Sequence, residues 1–207
     1  MRPIEAEDPP DWDLAERAKC GDESAYERLI LRYQAPIHSF ILRSVSDYET
    51  ARDLSQEVFV RAWFALDRVK AKALFSTWLF QIAVNLCRDH AKSKATRNAR
   101  NTDSFSRQPS DERPEEREFA SPQPSPAEHA TSKEAMDFLE AEIRGLPEEL
   151  RVPFVLGAVE HQPYKEVAAI LGLSAKAVEV RIYRARQQLC ERLTRLGFGL
   201  GKHSTEL

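Results

Sequence analysis

The sequence predicts an all-α protein built as two small helical domains joined by a flexible linker. Three observations carry this reading. Apolar residues recur at three- and four-residue steps through both ends of the chain. No stretch alternates convincingly between apolar and polar residues as a half-buried strand would. Between the helical parts, residues 96–131 hold Pro109, Pro114, Pro122, Pro124 and Pro126, many serines and almost no aliphatic side chain. Such a segment buries too little apolar surface to offset its chain entropy, so it is expected to be disordered and to separate two domains. The expected organisation is a disordered leader over 1–11, a first domain over 12–95, the linker over 96–131, a second domain over 132–196 and a frayed tail over 197–207.

In the first domain the helical period begins at Trp12. Leu14, Ala15 and Ala18 make a short apolar face that stops at Gly21. A second helix can start within 22–24, and Tyr26, Leu29, Ile30, Tyr33, Ile37, Phe40 and Ile41 share its inner face. Pro36 lies inside that run and predicts a kink or a break. A third helix over 47–64 buries Ala51, Leu54, Val58 and Ala62. Asp53, Gln56, Glu57 and Arg61 fall largely outside that stripe, where a solvated face is the default. Residues 66–74, with Lys70 and Lys72 close together, lack periodicity and read as a loop. A long helix then opens at Phe75, with Trp78, Leu79, Ile82, Ala83 and Leu86 on its apolar face and Asn85, Arg88, Asp89 and Lys92 on its polar one. By pattern alone Trp78 is a core aromatic near a helix start.

In the second domain helical spacing returns at Ala135, Phe138, Leu139 and Ile143. A further helix starts with Pro147 at its first position, a place that needs no N–H, and Leu150, Phe154, Val155 and Ala158 form its inner face. The most informative stretch is 164–193. Val167, Ala168 and Leu171 make a short helix that exits at Gly172, the residue best suited to a left-handed turn. Ser174 can cap a second helix, on which Val178, Ile182, Ala185, Leu189 and Leu193 form one stripe. Lys176, Arg181, Arg184 and Arg186 lie off that stripe. Small residue, glycine, cap and apolar pin together describe a helix-turn-helix whose basic side suits a major groove. The plainer alternative is a helical hairpin with a solvated basic face.

The net charge of −3 hides an uneven distribution. Residues 86–100 carry five Arg or Lys against one acid, and 174–195 carry six against two, whereas 101–131 carry seven acids against three Arg. Two basic segments flank an acidic connector. Cys20, Cys87 and Cys190 are far apart, so neither a disulfide framework nor a zinc knuckle is signalled, and a reducing compartment is expected. No apolar run approaches the roughly 18 residues needed to span a membrane, and no secretory signal is visible. A Gly-rich phosphate loop, an HExxH pair and a nucleophile–base pair are all missing from the pattern, which argues against an enzyme.

The order DLSQEVFVRAW, FSTWLFQIAVNLCRDH, LPEELRVPFVL, YKEVAAILGLS and VRIYRARQQL resembles the extracytoplasmic-function (ECF) class of bacterial sigma factors. The resemblance covers about 12–95 as sigma domain 2 and 132–196 as sigma domain 4. It implies an alternative sigma factor that binds core RNA polymerase, through the β′ clamp helices and the β flap, and opens promoter DNA. It also implies a cytoplasmic location, silencing by an anti-sigma factor, no cofactor, no metal and no membrane insertion. Asp53, Gln56, Glu57 and Arg61 would contact polymerase. Lys70, Lys72, Trp78, Asn85, Arg88 and Lys92 would open and read the −10 element. Ser174, Lys176, Glu179, Val180, Arg181, Tyr183, Arg184 and Arg186 would meet the −35 element. Within that helix Lys176, Glu179 and Val180 are best placed for base edges, Arg184 and Arg186 for phosphates, and Arg181 for either. Two rivals remain at this point: a sigma mimic that titrates an anti-sigma factor, and a helix-turn-helix regulator that needs no polymerase.

Overall fold

A computed structural model describes residues 9–69, 73–101 and 136–195, and side chains within these ranges except those of 97–101. Every regular element among the described residues is helical. Residues 1–8 of the leader, most of the linker and the tail named above lie outside them, and Asp11, expected in the leader, is instead the first residue of a helix.

Helix α1 spans Asp11–Lys19 and buries Leu14, Ala15 and Ala18. The chain turns at Gly21, whose φ of 90° favours a residue without a Cβ. Helix α2, Glu23–Val45, starts on the Asp22 side chain, which accepts a hydrogen bond from the Ala25 amide at 3.2 Å. Of the kink or break expected at Pro36, the break is absent: α2 runs through it. A proline inside a helix costs roughly 3 kcal/mol. Ile37, Phe40 and Ile41, just beyond it, are fully buried. At about 1.5–3 kcal/mol for each such side chain, their burial outweighs the lost bond.

Helix α3, Tyr48–Ala65, is capped by Asp47, which accepts from the Thr50 amide at 2.8 Å. The expected loop over 66–74 begins with a 3-10 turn, Leu66–Arg68, because Leu66 is buried. Helix α4, Phe75–Asn101, continues past the expected domain boundary at residue 95. Phe40 of α2 and Phe80 of α4 meet edge to face with centroids 5.8 Å apart, the preferred aromatic geometry. Trp12 ties α1 to the start of α4: its indole N–H donates to the Ala73 carbonyl at 2.8 Å, and its ring stands 5.5 Å from Phe75.

The second half holds α5 (136–144), α6 (Glu148–Phe154), α7 (Tyr164–Leu171) and α8 (Ala175–Arg195). Pro147 is not the first helical residue of α6 but its N-cap, with ψ at 140°. The rigid proline ring is compatible with either position; the extended ψ moves the helix start one residue along. A π turn over Val155–Val159 follows α6, where a uniform α-helix was expected. Gly157 lies within it, against Ile182 and Tyr164. Gly172 leaves α7 at φ 67°, and Ser174 Oγ accepts from the Ala177 amide at 3.1 Å at the start of α8. Val178, Ile182, Ala185 and Leu189 are buried, as the stripe predicts. The two halves touch: α7 rests on α4, and α6 with its π turn rests on the C-terminal half of α2.

Candidate functional site

Three surfaces gather the residues singled out in the sequence. The first is the outer face of α3. Its buried stripe turns Asp53, Gln56 and Arg61 to solvent, with Glu57 half-exposed. Arg61 donates to Glu57 at 2.7 Å, one helical turn apart, and Arg52 reaches Glu49 at 2.8 Å. Exposed pairs of this kind contribute little to stability, leaving the charges available to a partner. Gln56 also lines a groove of about 420 Å³ between α2 and α3, with Ile30, Gln34, His38, Ser55 and Phe59. Beside it Phe64 is 77% exposed and Val60 49%. These apolar residues were not singled out in the sequence. The signal was available: Val60 and Phe64 lie one helical turn apart and outside the buried stripe.

The second surface is the polar side of α4. Asn85, Arg88 and Lys92 are exposed there at helical spacing. Trp78 stands apart from them. It is half-buried in an aromatic cluster, 5.4 Å from Phe75 and 6.5 Å from Trp12. Lys70 and Lys72 lie outside the described residues. Arg88 is not open on all sides, for its Nε stands 3.9 Å from the Glu148 carboxylate at the first turn of α6.

The third surface is α8. Its apolar stripe packs against α6 and α7, so Lys176, Glu179, Val180, Tyr183, Arg184 and Arg186 are left exposed, whereas Arg181 is half-buried. Ser174 serves as the cap. Lys176 pairs with Glu179 at 2.9 Å, and Gln187 donates to the Tyr183 hydroxyl at 2.9 Å. Tyr164, at the first residue of α7, joins Lys176, Glu179, Val180, Tyr183 and Arg186 around a recess of about 480 Å³. Its place there depends on the angle between α7 and α8, which no local pattern reveals. Arginines on both flanks of a protruding helix can neutralise phosphates while the polar ridge between them meets base edges.

A helix-turn-helix placed after a helical domain with its own polar faces has the make-up of a DNA-binding protein. The Sigma-70 region 2 family matches residues 29–97 and the Sigma-70 region 4 family matches residues 139–189. The chain belongs to the sigma-70 family of RNA polymerase sigma factors, in its ECF class. It is 33% identical over 185 residues to the RNA polymerase sigma-H factor of Pseudomonas aeruginosa, covering 86% of this chain and 91% of that one. It is 30% identical over 180 residues to the ECF RNA polymerase sigma-E factor of Escherichia coli, covering 86% and 92%. Among solved structures it resembles CnrH in complex with the cytosolic domain of CnrY, with a TM-score of 0.65, 27% identity, and coverage of 89% of this chain and 97% of that one. The fold is also that of the sigma factor RpoE in complex with the anti-sigma factor NepR from Bartonella quintana, with a TM-score of 0.63, 21% identity, and coverage of 82% and 96%.

Sigma factors bind core RNA polymerase and direct it to promoters, and this chain is an alternative sigma factor that directs transcription initiation. That family is one of initiation factors rather than enzymes. Among the described residues no helix is long and apolar enough to cross a membrane.

Proposed function

We propose that the three surfaces divide the work of initiation. The outer face of α3, with Asp53, Gln56, Glu57 and Arg61, contacts the polymerase clamp. The polar side of α4, with Asn85, Arg88 and Lys92, meets the opened −10 element, together with Lys70, Lys72 and Trp78. Helix α8 enters the major groove at the −35 element. The observation that carries this is the segregation of charge: α8 buries its apolar stripe and leaves a polar ridge flanked by arginines facing solvent. The protein acts in the cytoplasm and performs no chemistry of its own. An anti-sigma partner controls it, a reading supported by the fold shared with the sigma factor RpoE, which is solved in complex with the anti-sigma factor NepR.

The test is transcription in vitro with core polymerase and a panel of promoters. Added protein is expected to start transcripts at a subset of promoters that core enzyme alone ignores. Tight footprinting of a promoter by the free protein, with no polymerase-dependent initiation, would instead describe an independent DNA-binding regulator.

A further inference from the structure

Two exposed apolar side chains interrupt the polar ridge of α8. Val180 is 37% exposed and Tyr183 62%. Three residues apart on a helix, they are surface neighbours. Among the described residues of α8 they are the exposed large hydrophobic ones. A single apolar residue at a surface is ordinary. These two are not single, for with the Tyr164 ring of α7 and the buried Ile182 they line one recess. Gln187 donates to the Tyr183 hydroxyl at 2.9 Å and ties down the tip of that ring. Lys176, Glu179 and Arg186 complete the lining, and the Lys176 ammonium donates to the Glu179 carboxylate at 2.9 Å.

This lining selects what can enter. A phosphate would meet an apolar wall and a carboxylate, which disfavour it by desolvation and by charge. A base edge fits better. Of the groups displayed in a major groove, an amino group can donate to Glu179, and only the C5-methyl group of a pyrimidine calls for an apolar contact. We infer that the recess is a pocket for the C5-methyl group of a pyrimidine in the −35 element, contacted by Val180 and Tyr183, with Glu179 accepting from an amino group of the same or the next base pair. This rests on the reading of α8 given above. Recognition is then sensitive to a methyl group that takes no part in base pairing. Thymine differs from deoxyuridine, and 5-methylcytosine from cytosine. Glu179 alone makes neither distinction, because neither change touches an amino group.

The test uses the full-length protein with core polymerase on the promoter it transcribes most strongly. Each −35 thymine is replaced in turn by deoxyuridine and each −35 cytosine by 5-methyldeoxycytidine, and the initial rate of transcription is measured. At one position, deoxyuridine should lower the rate or 5-methylcytosine should raise it. The expected factor is about fourfold, as for burial of one methyl group. The first result assigns the methyl group to a thymine, and the second to a methylated cytosine. Val180→Ser should bring that ratio to one. The ratio is taken within one variant, so a lower overall activity does not obscure it, and Tyr183→Ser serves as the second variant should Val180→Ser be too weak to measure.

Equal rates at every position in the wild type, or a ratio that persists in Val180→Ser, would overturn the methyl pocket. Scrambling the −35 element separates this from the reading of α8. Transcription lost on scrambling but indifferent to methyl groups overturns the pocket alone. Transcription undiminished by scrambling overturns both.

Discussion

Gly157, in the π turn after α6, sits so close to Ile182 of α8 that a Cβ at 157 would stand 2.6 Å from Ile182 Cδ1. The Tyr164 ring closes the other side at 3.3 Å. Ile182 is fully buried, so its methyl group has little room to retreat. Gly157→Ala is therefore expected to destabilise domain 4 by about 1–3 kcal/mol, the usual cost of an extra methyl group in a filled core. Adding Ile182→Val should recover part of the loss. Urea unfolding of the single and double variants is the measurement; a neutral Gly157→Ala would mean that α8 is not pinned here.

The outer face of α3 gives a prediction about affinity rather than stability. Asp53→Ala with Glu57→Ala should weaken capture of core polymerase in a pull-down while leaving helix content unchanged. Exposed charges of this kind shift stability by only ~0.5 kcal/mol each. Normal capture by the folded double variant would remove α3 from the polymerase interface.

Helix α8 separates two kinds of contact. Arg186→Ala should lower activity on all promoters alike and reduce the salt dependence by about one unit of slope, as loss of one phosphate contact does. Glu179→Lys should instead shift preference at one −35 position by about 1–3 kcal/mol, because a carboxylate can accept from a cytosine amino group and an ammonium cannot. Lys176 now pairs with Glu179 and would be released by the change. A promoter library transcribed by each variant reads both effects. A one-position change for Arg186→Ala, or an unchanged −35 preference for Glu179→Lys, would show that the helix meets DNA on another face.

The start of α2 is sensitive to acid. Hydrogen bonds from the Ser24 hydroxyl and then the Arg17 guanidinium, aided by the Ala25 amide, hold the Asp22 carboxyl down at about 2 from an ordinary 3.8. A depressed carboxylate stabilises the fold above its ordinary pKa and loses that contribution as pH falls through the lowered value. Asp22→Ala should thus lower the melting midpoint at neutral pH, and its deficit should shrink between about pH 4 and pH 2. Melting curves of both chains across that range decide it; a deficit independent of pH would assign the role to something other than the charge.

Local chemistry made much of the fold legible. Gly172 and Ser174 act within a few residues of themselves, so their turn and cap could be read directly, and the stripe from Val178 to Leu189 is the buried one. Errors arose where distant packing overrode a local preference. Pro36 signals a kink or a break, and of the two the break is excluded, because the buried residues after it hold α2 in one piece. Pro147 is compatible with two neighbouring positions, and only the observed ψ separates them. The candidate site was legible as faces and not as neighbourhoods. Ser39 bonds Glu160, 121 residues away, and Thr77 bonds Glu166, 89 residues away. Single polar residues carry no periodic signature, and nothing in either segment names the other. Tyr164 was missed as a neighbour of the α8 ridge for the same reason.

Arg43 of α2 pairs with Glu140 of α5 at 2.6 and 3.0 Å where the two halves touch. Both belong to one chain, and that fixes how their pairing responds to its surroundings. An association between separate molecules dissolves on dilution, but an intramolecular one does not, because each end is always present at the effective concentration set by the tether. Scarce and abundant copies of the protein hold the same fraction paired. A ligand can change that fraction only by the difference between its affinities for the paired and unpaired forms.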